Sequence, residues 1–183
     1  MEIYKLFSIY ILRKFNALCI MEVRYMIRFQ KDLIQSFFEK PDEKQLELFL
    51  CGKGKDNKGR YIEDILAQDN EWWESTHDYI QWIFPTDIKS KYNKSVPVVK
   101  VPVRIQATFM PDSYIRFRQF LQETAWKEHY HNRLRITRVL RSLSLFGYTE
   151  LSYGFLNELL VDQSLEDSFS IWKKNACCSE NHL

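Results

Sequence analysis

Apolar residues recur at three- and four-residue intervals along most of this chain, which is the spacing of an amphipathic α-helix. The pattern predicts helices over residues 22–39, 43–50, 61–67, 70–84, 111–127, 131–147 and 149–161, with a last helix opened by a capping box at Ser164 and Asp167. Over residues 96–103, prolines interrupt a run of valines, and proline cannot donate to a strand ladder. The chain is therefore predicted to be an all-α, mainly helical single domain with one short extended Pro/Val segment at 96–103.

The helix predicted at residues 70–84 has Asn70 as its N-cap and is ended by Pro85. At 100° per residue, most of its large apolar side chains share one arc. The adjoining polar strip consists of His77, Gln81, Glu74 and Asp78. Trp82 falls beside this strip and outside the apolar arc. An indole on a polar face indicates a second contact, and both a neighbouring helix and a partner would satisfy it.

The helix predicted at residues 131–147 has Asn132 as its N-cap and Gly147 as its left-handed terminator. The side opposite its apolar face carries a row of four arginines, namely Arg133, Arg135, Arg138 and Arg141. Three interpretations of this row stay open. The row is a solvated face, or it binds an anion through planar guanidinium groups. In the third interpretation, Arg135 or Arg138 pairs with Glu74 and Asp78, and these pairs determine how the two helices cross.

Composition and charge narrow the class of protein. The chain has 183 residues, of which 45% are hydrophobic and 15% aromatic, enough for one sizeable core. We expect a domain at residues 41–174, a helical appendage at 1–40 and a disordered tail at 175–183. An alternative start at Met21 or Met26 would shorten the appendage. The net charge of +2 gives no general attraction to nucleic acid or to an anionic membrane.

Candidate chemistry is sparse. Four cysteines lack metal-site or disulfide spacing and are read as reduced thiols of an intracellular protein. His129 and His131 could form a metal site with His77, but structural zinc requires four ligands, so we expect no metal and no cofactor. The charged residues at 5, 13 and 14 interrupt the apolar N-terminal run, so no transmembrane span is predicted. No nucleophile motif is present, and we expect no catalytic residues and no enzyme activity.

Two stretches carry a family resemblance. Residues 62–66 read IEDIL and, after Glu74, residues 77–85 read HDYIQWIFP; residues 131–140 read HNRLRITRVL, continuing to Gly147. Together, and in this order, they resemble the conserved region of the opioid growth factor receptor family over roughly residues 46–160. Two features depart from the family pattern. Trp73 stands where the family usually has leucine, and the stretch between the two signatures is shorter, which puts in doubt any ligand site built from the missing part.

The resemblance implies a non-enzymatic, receptor-like binding or regulatory module for a peptide or protein. The animal receptor of this family is described as a receptor for an opioid pentapeptide and is associated with the nucleus, while we expect a cytoplasmic location here. We predict that the polar edges of the two helices meet in one binding groove formed by His77, Asp78, Gln81, Trp82, Asn132, Arg135 and Arg138. The alternative function is anion or nucleic-acid binding through Arg133, Arg135, Arg138 and Arg141. The oligomeric state stays open.

Overall fold

The computed structural model describes residues 43–90, 96, 98–101 and 103–177. These residues contain eight α-helices and no strand, which confirms the all-α prediction. The helices are α1 (Glu43–Leu50), α2 (Ile62–Leu66), α3 (Asn70–Ser75), α4 (Ile80–Ile83), α5 (Met110–Glu123), α6 (Tyr130–Leu145), α7 (Thr149–Leu160) and α8 (Glu166–Ala176). Short 3-10 turns at Trp126–Glu128 and Gln163–Leu165 precede α6 and α8.

All of the described residues belong to one compact unit, Lys40–Leu183. The predicted helix at residues 22–39, the predicted appendage at 1–40 and the last residues of the predicted tail, 178–183, lie outside the described part of the chain. Within that part, no helix has the length and apolar character needed to cross a lipid bilayer.

Helix α6 is the element on which the C-terminal half is assembled, because it packs against both α7 and α8. Its apolar face is buried as predicted: Ile136, Val139, Leu140 and Leu143. The helix ends where Gly147 takes φ +81°, and this confirms the predicted left-handed terminator. The turn is closed by the amide of Tyr148, which donates to the Leu143 carbonyl at 2.8 Å. This reversal directs α7 back along α6.

The single helix predicted at residues 70–84 is wrong, because the chain leaves helical geometry at Thr76 (φ −91°, ψ 136°) and resumes it only at Ile80. The intervening residues are Thr76, His77, Asp78 and Tyr79. Together with Ser75, the threonine and aspartate side chains can compete for backbone groups, and this disfavours a helix interior. One such contact joins His77 Nδ1 to the Ser75 carbonyl at 2.9 Å. The predicted N-cap is also displaced by one residue, since Asp69 accepts the hydrogen bond from the amide of Trp72.

Other predicted boundaries shift for identifiable reasons. Asn132 is not an N-cap, because α6 already begins at Tyr130 and the Asn132 side chain is fully buried inside the domain. The capping box at Ser164 is replaced by Asp162, whose carboxylate accepts from the amide of Ser164 at 3.0 Å. Residues 175–176, assigned to the tail, belong to α8 and are buried.

Gly147 and Gly154 form a matched pair for testing the α6–α7 turn. A Cβ added at either position meets nothing within 4 Å, so backbone conformation alone decides the outcome. We expect Gly147→Ala to lower the free energy of unfolding by about 1 kcal/mol, because its positive φ disfavours L-residues. Gly154→Ala, inside α7, is expected to raise that free energy by about 0.5–1 kcal/mol. Urea denaturation of both variants checks this, and equal signs for the two would contradict it.

Candidate binding site

Three arginines of α6, spaced three residues apart, reach the segment that contains α3 and α4. Arg135 Nη2 donates to the carbonyls of Glu74 and Thr76, at 3.3 and 2.9 Å. Arg138 Nη1 donates to the Phe84 carbonyl at 3.1 Å. Arg141 binds the carboxylate of Asp87 through Nε and Nη2, at 2.5 and 2.6 Å. We call Arg135, Arg138 and Arg141 the arginine row, and it holds residues 74–87 along the side of α6.

Arg135 is the most deeply placed member of the row, with 4% of its surface exposed. Its Nη1 donates to Asn132 Oδ1 at 3.0 Å and lies 3.7 Å from Glu74 Oε2. The carbonyls that Arg135 binds lie at the C-terminal end of α3, where a positive charge is favoured by the helix dipole. The predicted pairing of Glu74 with Arg135 is therefore present, and it is combined with main-chain contacts.

The other arginines differ in what they contact. Burial lowers the pKa of Arg138 to about 10, which still leaves the guanidinium charged at neutral pH. Arg141 also donates to Asn175 of α8 at 3.3 Å, so it links the Asp87 end of the segment to a second helix. The backbone at Arg133 contacts α8, since its carbonyl accepts from the Trp172 indole at 3.3 Å, and the Arg133 Nε atom is buried. The four arginines therefore do not form one exposed row on the surface of α6.

Two of the predicted groove residues, Trp82 and Gln81, are buried inside the domain. The Trp82 ring is fully buried, lies edge-on to Phe49 at 5.3 Å between ring centroids, and donates from Nε1 to Asn57 Oδ1 at 3.0 Å. Gln81 is also buried, and its side-chain amide lies 3.1 Å from the His77 carbonyl, to which it donates when its nitrogen faces that oxygen. The second contact indicated for the Trp82 indole is thus an internal one.

Asp78 is held by the loop at residues 52–60. Arg60 donates to both of its carboxylate oxygens, Oδ1 at 3.3 Å and Oδ2 at 3.2 Å. Arg60 is itself fixed by Asp56, a buried carboxylate that accepts from the Arg60 Nε at 2.7 Å and from two backbone amides. The loop at residues 52–60 therefore supports residues 78–82.

Two histidines, His129 and His131, approach the Glu74 carboxylate at the N-terminal end of α6, and the ring of a third, His77, lies beside His131. His131 Nε2 lies 2.9 Å and His129 Nε2 3.8 Å from Glu74 Oε1, and the His131 contact lacks hydrogen-bond alignment. The ring centroid of His131 is 5.0 Å from that of His77 and 5.6 Å from that of His129. We call these three residues the histidine cluster. Among the described residues, no group of three or more histidine, cysteine or acidic side chains is arranged to hold a metal ion.

Electrostatics disfavours a charged His131. Burial lowers the pKa of His131, and the nearby Arg135, His77 and His129 act in the same direction, while Glu74 opposes them. Glu74 also accepts from Asn132 Nδ2, at 3.3 and 3.1 Å for its two oxygens. The Glu74 carboxylate is therefore the common partner of the histidine cluster and of Arg135.

A cleft of about 370 Å³ opens beside the histidine cluster. It lies between α3 and the turn that follows α5, and its lining residues are Asn70, Glu71, Glu74, Ser75, Thr124, Ala125, Trp126 and His129. None of the predicted groove residues lines this cleft. Two of the lining residues, Glu74 and His129, contact predicted groove residues. Sequence reasoning missed Trp126 and Glu71 as lining residues, since nothing in a linear pattern shows that two separate turns face each other. The sequence signals that fall in this region are the His129-x-His131 spacing, Glu74 of the predicted polar strip and Asn70 at the predicted helix start.

The structure thus defines a small all-helical domain in which an arginine row, buried at Arg135, holds a broken helical segment beside an open cleft. The chain is similar to opioid growth factor receptor-like protein 1 of Rattus norvegicus, at 25% identity over 146 aligned residues. The similarity covers 64% of this chain and 31% of that protein, so the chain spans about a third of the length of this relative. No family model matches the chain, and no solved structure matches it.

Arg135 is expected to be the most costly arginine of the row to replace. Arg135→Gln removes the donor to two carbonyls and leaves Glu74 without its guanidinium, so we expect the free energy of unfolding to fall by about 2–4 kcal/mol. The exposed Arg104 is the matched control, and Arg104→Gln should change that free energy by no more than about 0.5 kcal/mol. Chemical denaturation followed by circular dichroism measures both. Similar small changes in the two variants would show that Arg135 does not hold the segment.

Proposed function

We propose that this domain is a non-enzymatic, receptor-like binding module for a peptide or protein segment, and that the cleft beside the histidine cluster receives it. The observation that carries the proposal is the cleft itself. An aromatic and small-residue wall, Trp126 and Ala125, faces polar groups of α3 across a space of about 370 Å³. Ligand sites combine apolar walls with a few fixed polar groups in this way. The similarity to a receptor-like protein supports the same class of function.

The rigidity of one wall supports the proposal further. Glu74 is oriented by Asn132 Nδ2 and approached by Arg135 from within the domain. On the same helix, Asn70 Nδ2 donates to Glu123 Oε2 at 2.8 Å, which joins α3 to the end of α5. Polar groups that are held in place before a ligand arrives lose little conformational freedom on binding, and this favours affinity. The ligand is accordingly expected to meet a cleft that is already formed.

The predicted groove of His77, Asp78, Gln81, Trp82, Asn132, Arg135 and Arg138 is the less supported location. Most of these side chains contact other parts of the domain, and Trp82 is fully buried. Of the seven, His77 is the exposed one and its ring lies beside His131, whereas Asn132 and Arg135 contact Glu74 of the cleft lining from within the domain. Anion or nucleic-acid binding by the arginine face has less support for the same reason, because Arg135, Arg138 and Arg141 already bind groups of this chain.

A thermal-shift screen of the purified chain tests the proposal, with short peptides including opioid pentapeptides, nucleotides and short single-stranded nucleic acids, each at low and high salt. A peptide present at about a hundredfold its Kd should stabilise the fold by about 2.7 kcal/mol, with little loss in high salt. Stabilisation by polyanions alone, lost in salt as counterions are released, would favour the arginine-face alternative and contradict the proposal.

A blocking variant then locates the site. Ala125 is exposed and lines the cleft, so Ala125→Phe should fill the cleft and weaken peptide binding by tenfold or more, about 1.4 kcal/mol or larger. Ala67, exposed at the end of α2 and absent from the cleft lining, is the matched control, and Ala67→Phe should leave the Kd unchanged. Isothermal titration calorimetry with the peptide found in the screen compares them. Equal Kd values for the two variants would move the site away from the cleft.

A further inference from the structure

The Glu74 carboxylate belongs to two neighbouring features at once. It lines the cleft, and it is the anion around which the histidine cluster and Arg135 are arranged. His129 has the same double membership, since it lines the cleft and approaches Glu74 Oε1 at 3.8 Å. A change in the charge of the cluster must therefore act on a wall of the cleft.

The groups that face His131 come from every element around it. They are Glu74 and His77 from the segment of α3 and α4, His129 from the turn before α6, and Arg135 from α6 itself. When the imidazoles are neutral, one carboxylate faces one guanidinium. When the imidazoles are protonated, the Glu74 carboxylate faces Arg135 and two imidazolium rings, and the charged ring of His77 lies beside that of His131. Like charges about 5 Å apart and partly shielded from water repel one another, and a single carboxylate cannot compensate them.

The position of His131 also disfavours a positive charge on its ring. Its Nε2 atom is buried and has no aligned hydrogen-bond acceptor, even though Glu74 Oε1 lies 2.9 Å away. A protonated ring would carry an N–H at that atom without a well-directed partner. The charged ring is therefore better accommodated if it rotates out of the cluster, and this would leave Asn132 as the partner of Glu74 in the first turn of α6 and weaken their attachment.

We propose that the histidine cluster around Glu74 is a proton-sensitive latch that holds the α3 wall of the cleft against the N-terminal end of α6 near neutral pH and loosens it in mild acid. The consequence for ligand binding, weaker binding in acid, rests on the proposed function. The proton sensitivity itself rests only on the positions of His77, His129, His131, Glu74 and Arg135.

The sign of the expected pH dependence follows from linkage. Because the pKa of His131 is lowered in the folded chain, the unfolded chain binds more protons between that pKa and the ordinary histidine value of about 6.5. Stability is therefore fully present above about pH 6.5 and is lost as the pH falls through this window. A variant that lacks the three histidines therefore separates their contribution between pH 7.5 and 5.5 from any other effect of acidification.

The test compares thermal unfolding of the full chain at pH 7.5 and 5.5 in the wild type and in a His77→Gln, His129→Gln, His131→Gln triple variant. We expect the wild-type Tm to fall by about 3 °C or more on acidification, the shift for about 1 kcal/mol in a chain of this size, and the triple variant to be nearly unaffected. The remaining histidine, His182, supplies the control, and His182→Gln should behave as the wild type does. An unchanged wild-type Tm, or an equal fall in the triple variant, would overturn the proposal.

A second variant keeps the test decisive if the triple variant does not fold. Glu74→Gln removes the compensating carboxylate but keeps an amide of the same shape, so its loss of Tm in acid should exceed that of the wild type. A loss equal to or smaller than the wild-type loss would contradict the latch.

The indole resonance of Trp126, assigned with Trp126→Phe, should shift with pH in the wild type and not in a His131→Gln variant. None of these measurements uses a ligand, so their failure would leave the proposed binding function to be decided by the peptide screen.

Discussion

The arrangement around Arg135 depends on a helix that stops early. In a continuous helix over residues 70–84, the carbonyls of Glu74 and Thr76 would accept from amides four residues further along the chain. Because α3 ends at Ser75, these carbonyls are left for the Arg135 guanidinium, which donates to both. A buried charge without such partners would be very costly. The break and the arginine are therefore mutually dependent, since each supplies what the other lacks.

Contacts between α6 and the segment at residues 74–87 continue in the same order along both elements. The contacts of residues 135, 138 and 141 fall on residues 74–76, 84 and 87, so the segment and the helix run in the same direction. On its other side, the segment is supported by the loop at 52–60, through Asp78 with Arg60 and Trp82 with Asn57. Most of the polar residues that make this stretch conspicuous in the sequence are thus engaged in joining the segment to its two neighbours.

The features of the fold that depend on neighbouring residues could be predicted from the sequence. The all-α class, the buried face of α6 and the terminator at Gly147 follow from periodicity and from a positive φ that glycine accepts readily. The interruption at Thr76 could not be derived in this way, because the carbonyls it exposes are stabilised by an arginine about sixty residues away. The predicted position of a side chain around the helix axis is valid beyond Thr76 only if the helix is unbroken. Trp82 is therefore predicted on a polar face, whereas in the structure it is buried. The cleft was unpredictable for a related reason, since its walls are distant in the sequence.

The cleft and the buried junction are not independent parts of the molecule. Glu74 contributes its carbonyl to Arg135, its carboxylate to Asn132 and the histidine cluster, and one edge to the cleft lining. A substitution there would change the stability of the fold and the shape of the cleft together, so binding data on such a variant would not separate the two effects. Ala125 touches the cleft from the opposite wall and is exposed. The contribution of the cleft to function can therefore be separated from folding on that wall, whereas on the α3 wall binding and stability draw on the same side chain.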